Sequence, residues 1–400
     1  MSAITSPETV KPPRTSVGVV GWLRQNLFST WYNSLLTLVT LWLLYAILRP
    51  VLAWMFTVAN WEVVTANLQL FMIGRYPVEQ LWRVWLIIYV LGLLAGLSWG
   101  TWGPPFRTFA VVIGSTGLFL AILPFGLDVQ LRWFGLAAAV VTGLLAGRGP
   151  WPVRLRRWVA GAWVFYFPFV LLVVRGSSLT PFLPLVESNL WGGLLLTFLL
   201  AAVGIFFSFP VGLLLALGRR SQLPVIRIFA TGYIELIRGV PLVTVLYMAS
   251  LMLPLFLPAD IRVDYVVRAM AGFVMFTSAY VAEDVRGGLQ AVPRGQYEAA
   301  AALGLPGPLV MGLIVLPQAL RAIIPSLVGQ FISLFKDTSL VAIIGLFDLL
   351  NIGQSVLANP DFLGLQREVY VFAAVIYFVF SYAMSYAARR LEKALGVGER

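Results

Sequence analysis

Residues 295–340 have the sequence GQYEAAAALGLPGPLVMGLIVLPQALRAIIPSLVGQFISLFKDTSL, in which helix-forming segments flank a proline-rich turn. Residues 298–303 are strong helix formers, and Gly304 can end that helix because glycine accepts the left-handed C-cap conformation. The LPGP run at residues 305–308 predicts a turn with a proline placed to start the next helix. That second short apolar helix is expected to end where Pro317 breaks it. The stretch therefore predicts two short helices joined by a rigid turn between hydrophobic segments. We refer to the two helices and the turn, residues 294–317, as the elbow.

Composition indicates a membrane protein. Of the 400 residues, 60% are hydrophobic and only 11% are charged, whereas an ordinary soluble domain has about 25% charged residues. The formal net charge of +11 could suggest nucleic-acid binding, but the arginines cluster at the ends of apolar runs, as in membrane proteins. The absence of cysteine and histidine excludes disulfides, thiolate nucleophiles, histidine metal sites and Ser–His triads. No Gly-Lys-Ser/Thr phosphate loop is present, so any ATP must be bound by another polypeptide.

Ten apolar segments are candidates for membrane spans, because about 20 apolar residues cross about 30 Å of hydrocarbon. We place them at residues 34–58, 84–103, 108–127, 133–147, 158–174, 190–217, 240–258, 265–282, 322–346 and 369–388. The fourth segment is short and follows closely on the third, so these two could instead form one re-entrant unit. The sequence predicts an all-α, multi-pass membrane protein with about ten transmembrane helices.

The arginine distribution predicts the orientation of the spans. Basic residues follow the fourth, sixth and tenth spans, whereas the connections after the fifth, seventh and ninth spans carry few basic residues and several acids. Both termini and the elbow are therefore expected to be cytoplasmic. Residues 1–33 are predicted to be a tail followed by an interfacial helix, although a simple lead-in to the first span fits equally well. No signal peptide is expected, because the first apolar run starts late and lacks a cleavage site.

A turn-rich link at residues 175–189 separates two sets of five segments. The first set, residues 34–175, contains no motif that indicates a function. Its two small-xxx-small patterns, at residues 92–96 and 143–147, favour close helix packing, either inside the chain or at a dimer face. The second set, residues 190–400, contains the elbow.

Several motifs in the second set resemble one protein family. The triplet Glu298-Ala299-Ala300, with Gly304, Ile314, Leu316 and Pro317 at their spacing, resembles the EAA loop of ABC importer permeases. The accompanying motifs are Trp191-Gly192-Gly193, ALGRRS at 216–221, IELIRGVPL at 234–242, QALR at 318–321 and KDTSL at 336–340. Residues 190–400 are most similar to the longer, M-type subunit of general L-amino-acid importers, within the polar amino-acid permeases.

The resemblance implies a five-helix type I ABC importer permease core with its EAA loop at residues 294–317. It implies that the chain is not an enzyme but the permease subunit of an ATP-driven importer of polar or a broad range of amino acids in the cytoplasmic (inner) membrane. The implied partners are ABC ATPase subunits that use ATP and Mg²⁺, a second related permease in a heterodimer, and an extracytoplasmic amino-acid-binding protein. Membrane lipid is also an expected partner, whereas no nucleic acid, metal ion or bound cofactor is expected.

The elbow is the predicted coupling site. A rigid helical projection can dock into a groove on a partner and transmit a push to the spans beside it, although physical reasoning alone allows it equally to rest on lipid headgroups. With the resemblance, the residues that would contact or position the ATPase are Glu298, Ala299, Ala300, Gly304, Ile314, Leu316 and Pro317.

Two further groups of polar residues are candidates. Glu235 and Arg238 are three residues apart on a predicted helix and are expected to form a structural ion pair. Glu283, Asp284 and Arg286 end the eighth span, and Asp284 departs from the apolar residue usual at that place in the family.

The KDTSL motif places charge inside the predicted ninth span. Lys336, Asp337, Thr338 and Ser339 would lie about 20 Å along a helix that starts near residue 323, where a charge costs about 2.5–3.5 kcal/mol. They could complement the two charged ends of an amino acid in a substrate path, or they could tie spans together. A secondary transporter or a membrane enzyme is the alternative class, but neither internal repeats nor a catalytic cluster is evident.

Overall fold

The computed structural model describes residues 18–124, 126–149, 154–177, 182–258 and 263–395. Within these ranges the chain is helical, and only isolated bridges stand in place of strands. Nine of the described helices are long and apolar enough to cross a membrane, and one bent pair can form a tenth span. The prediction of an all-α protein with about ten spans is confirmed.

The helices, numbered in chain order, have the following bounds. They are α1 (Val19–Asn26), α2 (Trp31–Ala53), α3 (Glu62–Ala66), α4 (Leu68–Ile73), α5 (Leu81–Trp102), α6 (Pro104–Ile122), α7 (Leu127–Gly147), α8 (Arg154–Arg175), α9 (Gly193–Arg219), α10 (Pro224–Arg238), α11 (Leu242–Tyr247), α12 (Tyr265–Ala291), α13 (Arg294–Ala302), α14 (Gly307–Leu309), α15 (Leu316–Asp337), α16 (Leu349–Leu357) and α17 (Gln366–Leu395).

The chain divides into two compact units, Met1–Glu62 and Val63–Arg400. In the first unit, α1 is the short helix expected near residues 17–33, and residues 1–17 of the predicted tail lie outside the described residues. The Thr30 hydroxyl accepts a hydrogen bond from the Asn33 amide (3.3 Å) and caps α2. The span Trp31–Val58 buries none of its residues within the chain.

In the second unit, α5 and α7 pack closely against each other. A Cβ atom added at Gly96 would lie 2.0 Å from the Val140 carbonyl oxygen, and one added at Gly143 would lie 2.2 Å from that of Leu93. The two small-xxx-small patterns therefore pack against each other inside the chain. The third and fourth spans are α6 and α7, with 19 and 21 residues. Each is long and apolar enough to cross the membrane, which favours two separate spans over one re-entrant unit.

The two predicted sets of spans are joined at the link of residues 175–189. Arg83 is fully buried and donates a hydrogen bond to the Pro184 carbonyl (2.8 Å), and the Tyr76 hydroxyl donates one to the Val174 carbonyl (2.8 Å). Positive charge at the C-terminal end of α8 also favours that helix end. The Arg83 contact joins the first set of spans to the link, and a backbone bridge between Gly74 and Trp191 joins it to the second set. The compact units accordingly divide after Glu62 rather than at the link.

The elbow has the predicted order of elements with one exception. After α13, Gly304 takes a φ of +69°, α14 follows, and a π-helical turn (Val310–Val315) leads into α15. The prediction that Pro317 breaks the second helix is wrong, because one helical segment continues over Gly307–Ile344. A proline ring clashes with the carbonyl four residues earlier in a regular α-helix, and the wider π turn just before Pro317 accommodates it.

The seventh predicted span, residues 240–258, begins at a bend in the chain. The axis of α10 makes an angle of 109° with the segment Leu242–Phe256, and the break falls at Gly239 and Pro241. Pro241 lacks the N–H group that would continue the helix. A helix with this orientation leaves the direction of the spans and connects their ends instead.

Candidate functional site

The elbow has one face buried in the protein and one face exposed. Ala300, Val310 and Val315 belong to a buried cluster that also contains residues of α9, α10, α12 and α15. By contrast, Glu298 and Ala299 are exposed, and Leu303 is 78% exposed. The predicted coupling residues are therefore divided: some fix the elbow to the spans, and others face outward, where a partner would bind.

Gly304 ends α13 in a Schellman motif. The Gly304 amide donates to the Ala301 carbonyl (2.9 Å), and the Leu305 amide donates to the Ala300 carbonyl (3.2 Å). No atom lies within 4 Å of the position of a Cβ at residue 304. Glycine is thus required here by its positive φ and not by lack of space.

The other predicted coupling residues lie along the second arm of the elbow. Ile314 and Leu316 are half-buried and pack against the same buried cluster, whereas Pro317 is exposed. The Gln318 amide nitrogen donates to the Gln296 side-chain oxygen (3.2 Å) and thereby joins α15 to α13. The two arms are connected both through apolar contacts and through this hydrogen bond.

A charged cluster surrounds Glu283 on α12, just before the elbow. Its carboxylate is 2.5 Å from the Arg219 guanidinium, 2.8 Å from that of Arg286 and 3.6 Å from that of Arg238. Arg219 also contacts Glu235 (2.8 Å). Together the five residues connect the ends of α9, α10 and α12.

The prediction of a direct ion pair between Glu235 and Arg238 is wrong. Among the residues that the structure describes, no ion pair joins these two. Glu235 binds Arg219 of the preceding helix, and Arg238 turns to Glu283 and lies over the Tyr280 ring at 5.6 Å. Spacing along one helix identified the participants but not their partners, which come from other helices.

Asp284 connects α12 to α15. Its carboxylate accepts a hydrogen bond from the Ser326 hydroxyl (2.5 Å). Glu283 and Asp284 are adjacent, so two carboxylates near the same end of α12 hold three other helices. Since α12 leads through Val292 and Pro293 into α13, these contacts lie immediately beside the elbow.

The structure does not bring the four residues of the KDTSL candidate onto one surface. Lys336 is exposed, Asp337 and Ser339 are half-buried, and Thr338 is fully buried with its hydroxyl donating to the Phe335 carbonyl (2.7 Å). The α-helix ends at Asp337, and a 3₁₀ segment (Thr338–Ile344) follows. The change of helix type turns Thr338 inward. Because α15 begins at Leu316, Lys336 lies about 30 Å from its start rather than near its middle.

The sequence patterns did not predict a buried polar cluster around Asp348. Asp348 is fully buried between the spans Gly307–Ile344 and Gln366–Lys393. Its carboxylate accepts hydrogen bonds from the amides of Leu350 (3.0 Å) and Asn351 (3.1 Å) and from the Tyr377 hydroxyl (3.0 Å). The Thr197 hydroxyl accepts one from the Leu349 amide (3.2 Å). An Asp directly before an apolar helical segment is an N-cap signal that could have located this cluster.

Burial raises the pKa of Asp348 above its ordinary value, and the hydrogen bonds from Leu350, Asn351 and Tyr377 oppose the rise. Cys and His are absent from the sequence, and among the described residues no group of three or more possible ligands could hold a metal ion. The polar contacts of Glu283, Asp284 and Asp348 join helices, whereas the outer face of the elbow is exposed.

Comparison with known proteins identifies relatives over the whole length. Residues 208–397 match the family described as binding-protein-dependent transport system inner membrane component. The inner membrane amino-acid ABC transporter permease protein YhdY of Escherichia coli (strain K12) is 41% identical over 97% of this chain and 97% of its own. The glutamate/glutamine/aspartate/asparagine transport system permease protein BztC of Rhodobacter capsulatus is 36% identical over 96% of this chain and 95% of its own.

Shorter relatives match about half of the chain. The probable glutamine ABC transporter permease protein GlnP of Bacillus subtilis (strain 168) is 36% identical over 51% of this chain and 92% of its own length. A crystal structure of an amino acid ABC transporter with histidines has 32% identity and a TM-score of 0.46, over 50% of this chain and 92% of that chain. The matches with YhdY and BztC thus cover nearly all of this chain, whereas the match with GlnP covers about half.

Proposed function

The chain belongs to the polar amino-acid permeases among the binding-protein-dependent transport system inner membrane components, and we propose that it forms the membrane-spanning subunit of an ATP-driven amino-acid importer. The observation that carries this function is the 41% identity with an amino-acid ABC transporter permease over 97% of both chains. The nine to ten candidate spans among the described residues agree with a multi-pass protein of the inner membrane.

ATP is bound and hydrolysed, with Mg²⁺, by ATPase subunits that dock on the elbow. The exposed Glu298, Ala299 and Leu303 would lie against the ATPase, while Ala300 and Val315 transmit its movement to the buried cluster. A helix whose outer face binds a groove and whose inner face is packed into the spans moves those spans when the groove moves.

The remaining partners follow from the same assignment. A second related permease completes the translocation path as a heterodimer, and an extracytoplasmic binding protein delivers amino acids to it. Both termini and the elbow are cytoplasmic. In support of this orientation, arginines lie in or just after the C-terminal turns of α7, α9 and α17, and these helix ends lie on one side when successive spans alternate in direction.

The substrates are polar amino acids or a broad range of them, a proposal supported by the four amino acids in the name of the relative BztC. Lys336 and Asp337 remain the proposed polar contacts of the substrate path, with Ser339 beside them, whereas Thr338 is buried against Phe335 and has a structural role. An exposed ammonium group at the end of α15 offers an amino-acid carboxylate a charged partner.

Lys336→Met tests this assignment. The variant keeps an unbranched side chain of similar length, so we expect normal amounts of assembled complex with impaired uptake and hydrolysis uncoupled from the loaded binding protein. Uptake of several amino acids into liposomes is compared with the amount of complex. If assembly falls in parallel with uptake, Lys336 is a structural residue and the substrate assignment is wrong.

Gly304→Asp tests the docking of the ATPase, with Gly307→Asp as the matched control. Both residues have open space around a Cβ, but only Gly304 has a positive φ. An L-residue in that conformation costs about 1–2 kcal/mol, so the first variant strains the C-cap while both add the same charge. We expect the complex to be purified with the ATPase for Gly307→Asp and with severalfold less ATPase for Gly304→Asp. Equal amounts of ATPase and equal uptake would show that the elbow is not the docking site.

A further inference from the structure

A cavity opens at one end of α5, α6 and α7, among the spans that have no counterpart in the shorter relatives. Its volume is about 480 Å³, and it is lined by Trp99, Gly100, Gly103, Pro104, Arg107 and Arg148. Gly103 ends α5 with a φ of +79° and Pro104 starts α6 directly, so the two helices form a tight hairpin. The volume is in the range of small-molecule sites.

Two arginines converge on one tryptophan at this cavity. The guanidinium carbons of Arg107 and Arg148 lie 6.0 Å and 5.6 Å from the centre of the Trp99 ring. Both arginine side chains are exposed. In the part of the chain that the structure describes, no ion pair includes either of them.

The surrounding sequence supplies no anion. Asp128 is the one acidic residue between positions 80 and 186, and it stands in the first turn of α7, at the opposite end from Arg148. Further basic residues, Arg156 and Arg157, follow near the start of α8. A concentration of positive charge without a carboxylate from its own helices attracts an anion from outside.

Orientation signals alone do not account for this arrangement. The positive-inside preference requires only that arginines lie near the ends of spans, and it does not place two of them on one ring beside a cavity. The other end of the same helix pair has a cavity with a single arginine, Arg132, whose guanidinium lies 5.9 Å from the Trp85 ring. Two arginines beside one tryptophan thus occur at the end of the helix pair that the charge distribution assigns to the cytoplasm, and the other end has one.

We propose that this cavity binds the phosphodiester headgroup of an anionic phospholipid in the cytoplasmic leaflet. Guanidinium groups bind phosphate oxygens in bidentate fashion, and basic pockets between transmembrane helices are suited to anionic headgroups. Tryptophan favours the level of the headgroups. Gly103 leaves space beside the ring for the headgroup, since no atom lies within 4 Å of a Cβ at this position.

The surface next to the cavity is suited to acyl chains. Along α6, Phe109, Val111 and Val112 are 37%, 45% and 42% exposed, and Leu145 on α7 is 64% exposed. A phosphate group at the arginines would therefore continue into an apolar surface on the adjoining turns. This continuity favours a lipid over a free phosphate ion or an acidic protein segment.

The test is a titration of the delipidated full chain, purified with its associated subunits, with phosphatidylglycerol or phosphatidylcholine in detergent, followed by native mass spectrometry. We expect tighter binding of phosphatidylglycerol. The double substitution Arg107→Gln and Arg148→Gln should weaken it about thirtyfold, equivalent to about 2 kcal/mol for two basic residues. Arg132→Gln, which removes an arginine–tryptophan contact at the other end, should leave the affinity within about twofold.

Two further variants separate loss of binding from loss of folding. Replacement of both arginines by lysine keeps the charge but loses the bidentate contacts, so it should weaken binding less than the double glutamine variant. Arg107→Glu reverses one exposed charge and should abolish tight binding. Unchanged phosphatidylglycerol affinity in the double glutamine variant or in Arg107→Glu overturns the proposal. Displacement of the lipid by millimolar inorganic phosphate, or loss of the ATPase from the complex in parallel, overturns it too, because the occupant is then a free ion or a protein.

Discussion

Gly288 lies on the face of α12 that contacts α15, a few residues before the elbow. The substitution Gly288→Ala adds one methyl group between the two spans that flank the elbow. Its neighbour Gly287 is exposed and has no atom within 4 Å of a Cβ. The same substitution at residue 287 therefore changes the helix without touching the contact.

The structure gives the size of the effect. A Cβ at residue 288 would lie 2.5 Å from Ile323 Cγ2 and 2.7 Å from the Ala319 carbonyl oxygen, whereas ordinary contacts begin at 3.4 Å. The isoleucine side chain can rotate, but the carbonyl belongs to the backbone of α15 and must retreat by about 0.7 Å. Such overpacking costs about 1–3 kcal/mol. Both variants gain up to about 1 kcal/mol of helix propensity, so the difference between them reports the contact alone.

The assay is unfolding of the two variants in mixed detergent micelles, with the free energy of unfolding taken from the loss of helical circular dichroism. We expect Gly288→Ala to be less stable than Gly287→Ala by about 1–3 kcal/mol. In reconstituted complexes, the same variant should also show less stimulation of ATP hydrolysis by the loaded binding protein. The reason is that α12 and α15 hold the two ends of the elbow at a fixed separation.

Equal unfolding free energies would refute the packing argument, since they would mean that α15 moves aside without cost. If the two variants are equally stable but differ in the stimulation of ATP hydrolysis, the contact between α12 and α15 is not strained and the effect arises in the elbow itself. Unequal stability with equal stimulation would show that the spacing of the two spans is not used in coupling.

Two further predictions concern the polar contacts. Glu283→Gln leaves Arg219, Arg238 and Arg286 without their common carboxylate. It should lower the free energy of unfolding by only about 1–2 kcal/mol, because the arginines are partly exposed and screened. Glu235→Gln removes the partner of one arginine and should lower it by less than about 0.5 kcal/mol, so equal losses measured by denaturation would contradict the central place of Glu283. Asp348→Asn retains the N-cap, whereas Asp348→Ala removes it and the partner of Tyr377, at a cost of about 2–4 kcal/mol. The folded-state pKa of Asp348 is raised above its ordinary 3.8. The wild type should therefore lose stability relative to Asp348→Asn as the pH rises from 3.8 through the raised pKa. Parallel pH profiles of the two proteins would contradict the burial argument.

The elbow was predictable because its determinants are local. The succession of helix formers, glycine and two prolines over residues 298–308 specifies a helix, a left-handed cap and a turn without reference to the remainder of the chain. The continuation through Pro317 was not predictable in this way. A π turn depends on how the preceding turn packs, and Val310 and Val315 are both buried against other helices.

Contacts between distant residues lay beyond the sequence patterns. Arg219 and Glu283 are 64 positions apart, and Arg83 and Pro184 are 101 apart. Helical spacing predicts only partners three or four residues away, so it suggested the pair of Glu235 with Arg238. Helix α15 extends from Leu316 to Asp337, so Lys336 lies near its C-terminal end rather than near its middle.

The unbroken segment Gly307–Ile344 has a mechanical consequence. At 1.5 Å per residue, α15 is about 33 Å long, while the part from Gly307 to Val315 is only about 13 Å long. The two parts form a lever of unequal arms with the π turn near the fulcrum. A tilt of about 5° set at the short arm would displace the far end by about 3 Å, close to Asp348 and the 3₁₀ segment. The length of one helix thus amplifies a small movement on one side of the membrane into a larger one on the other.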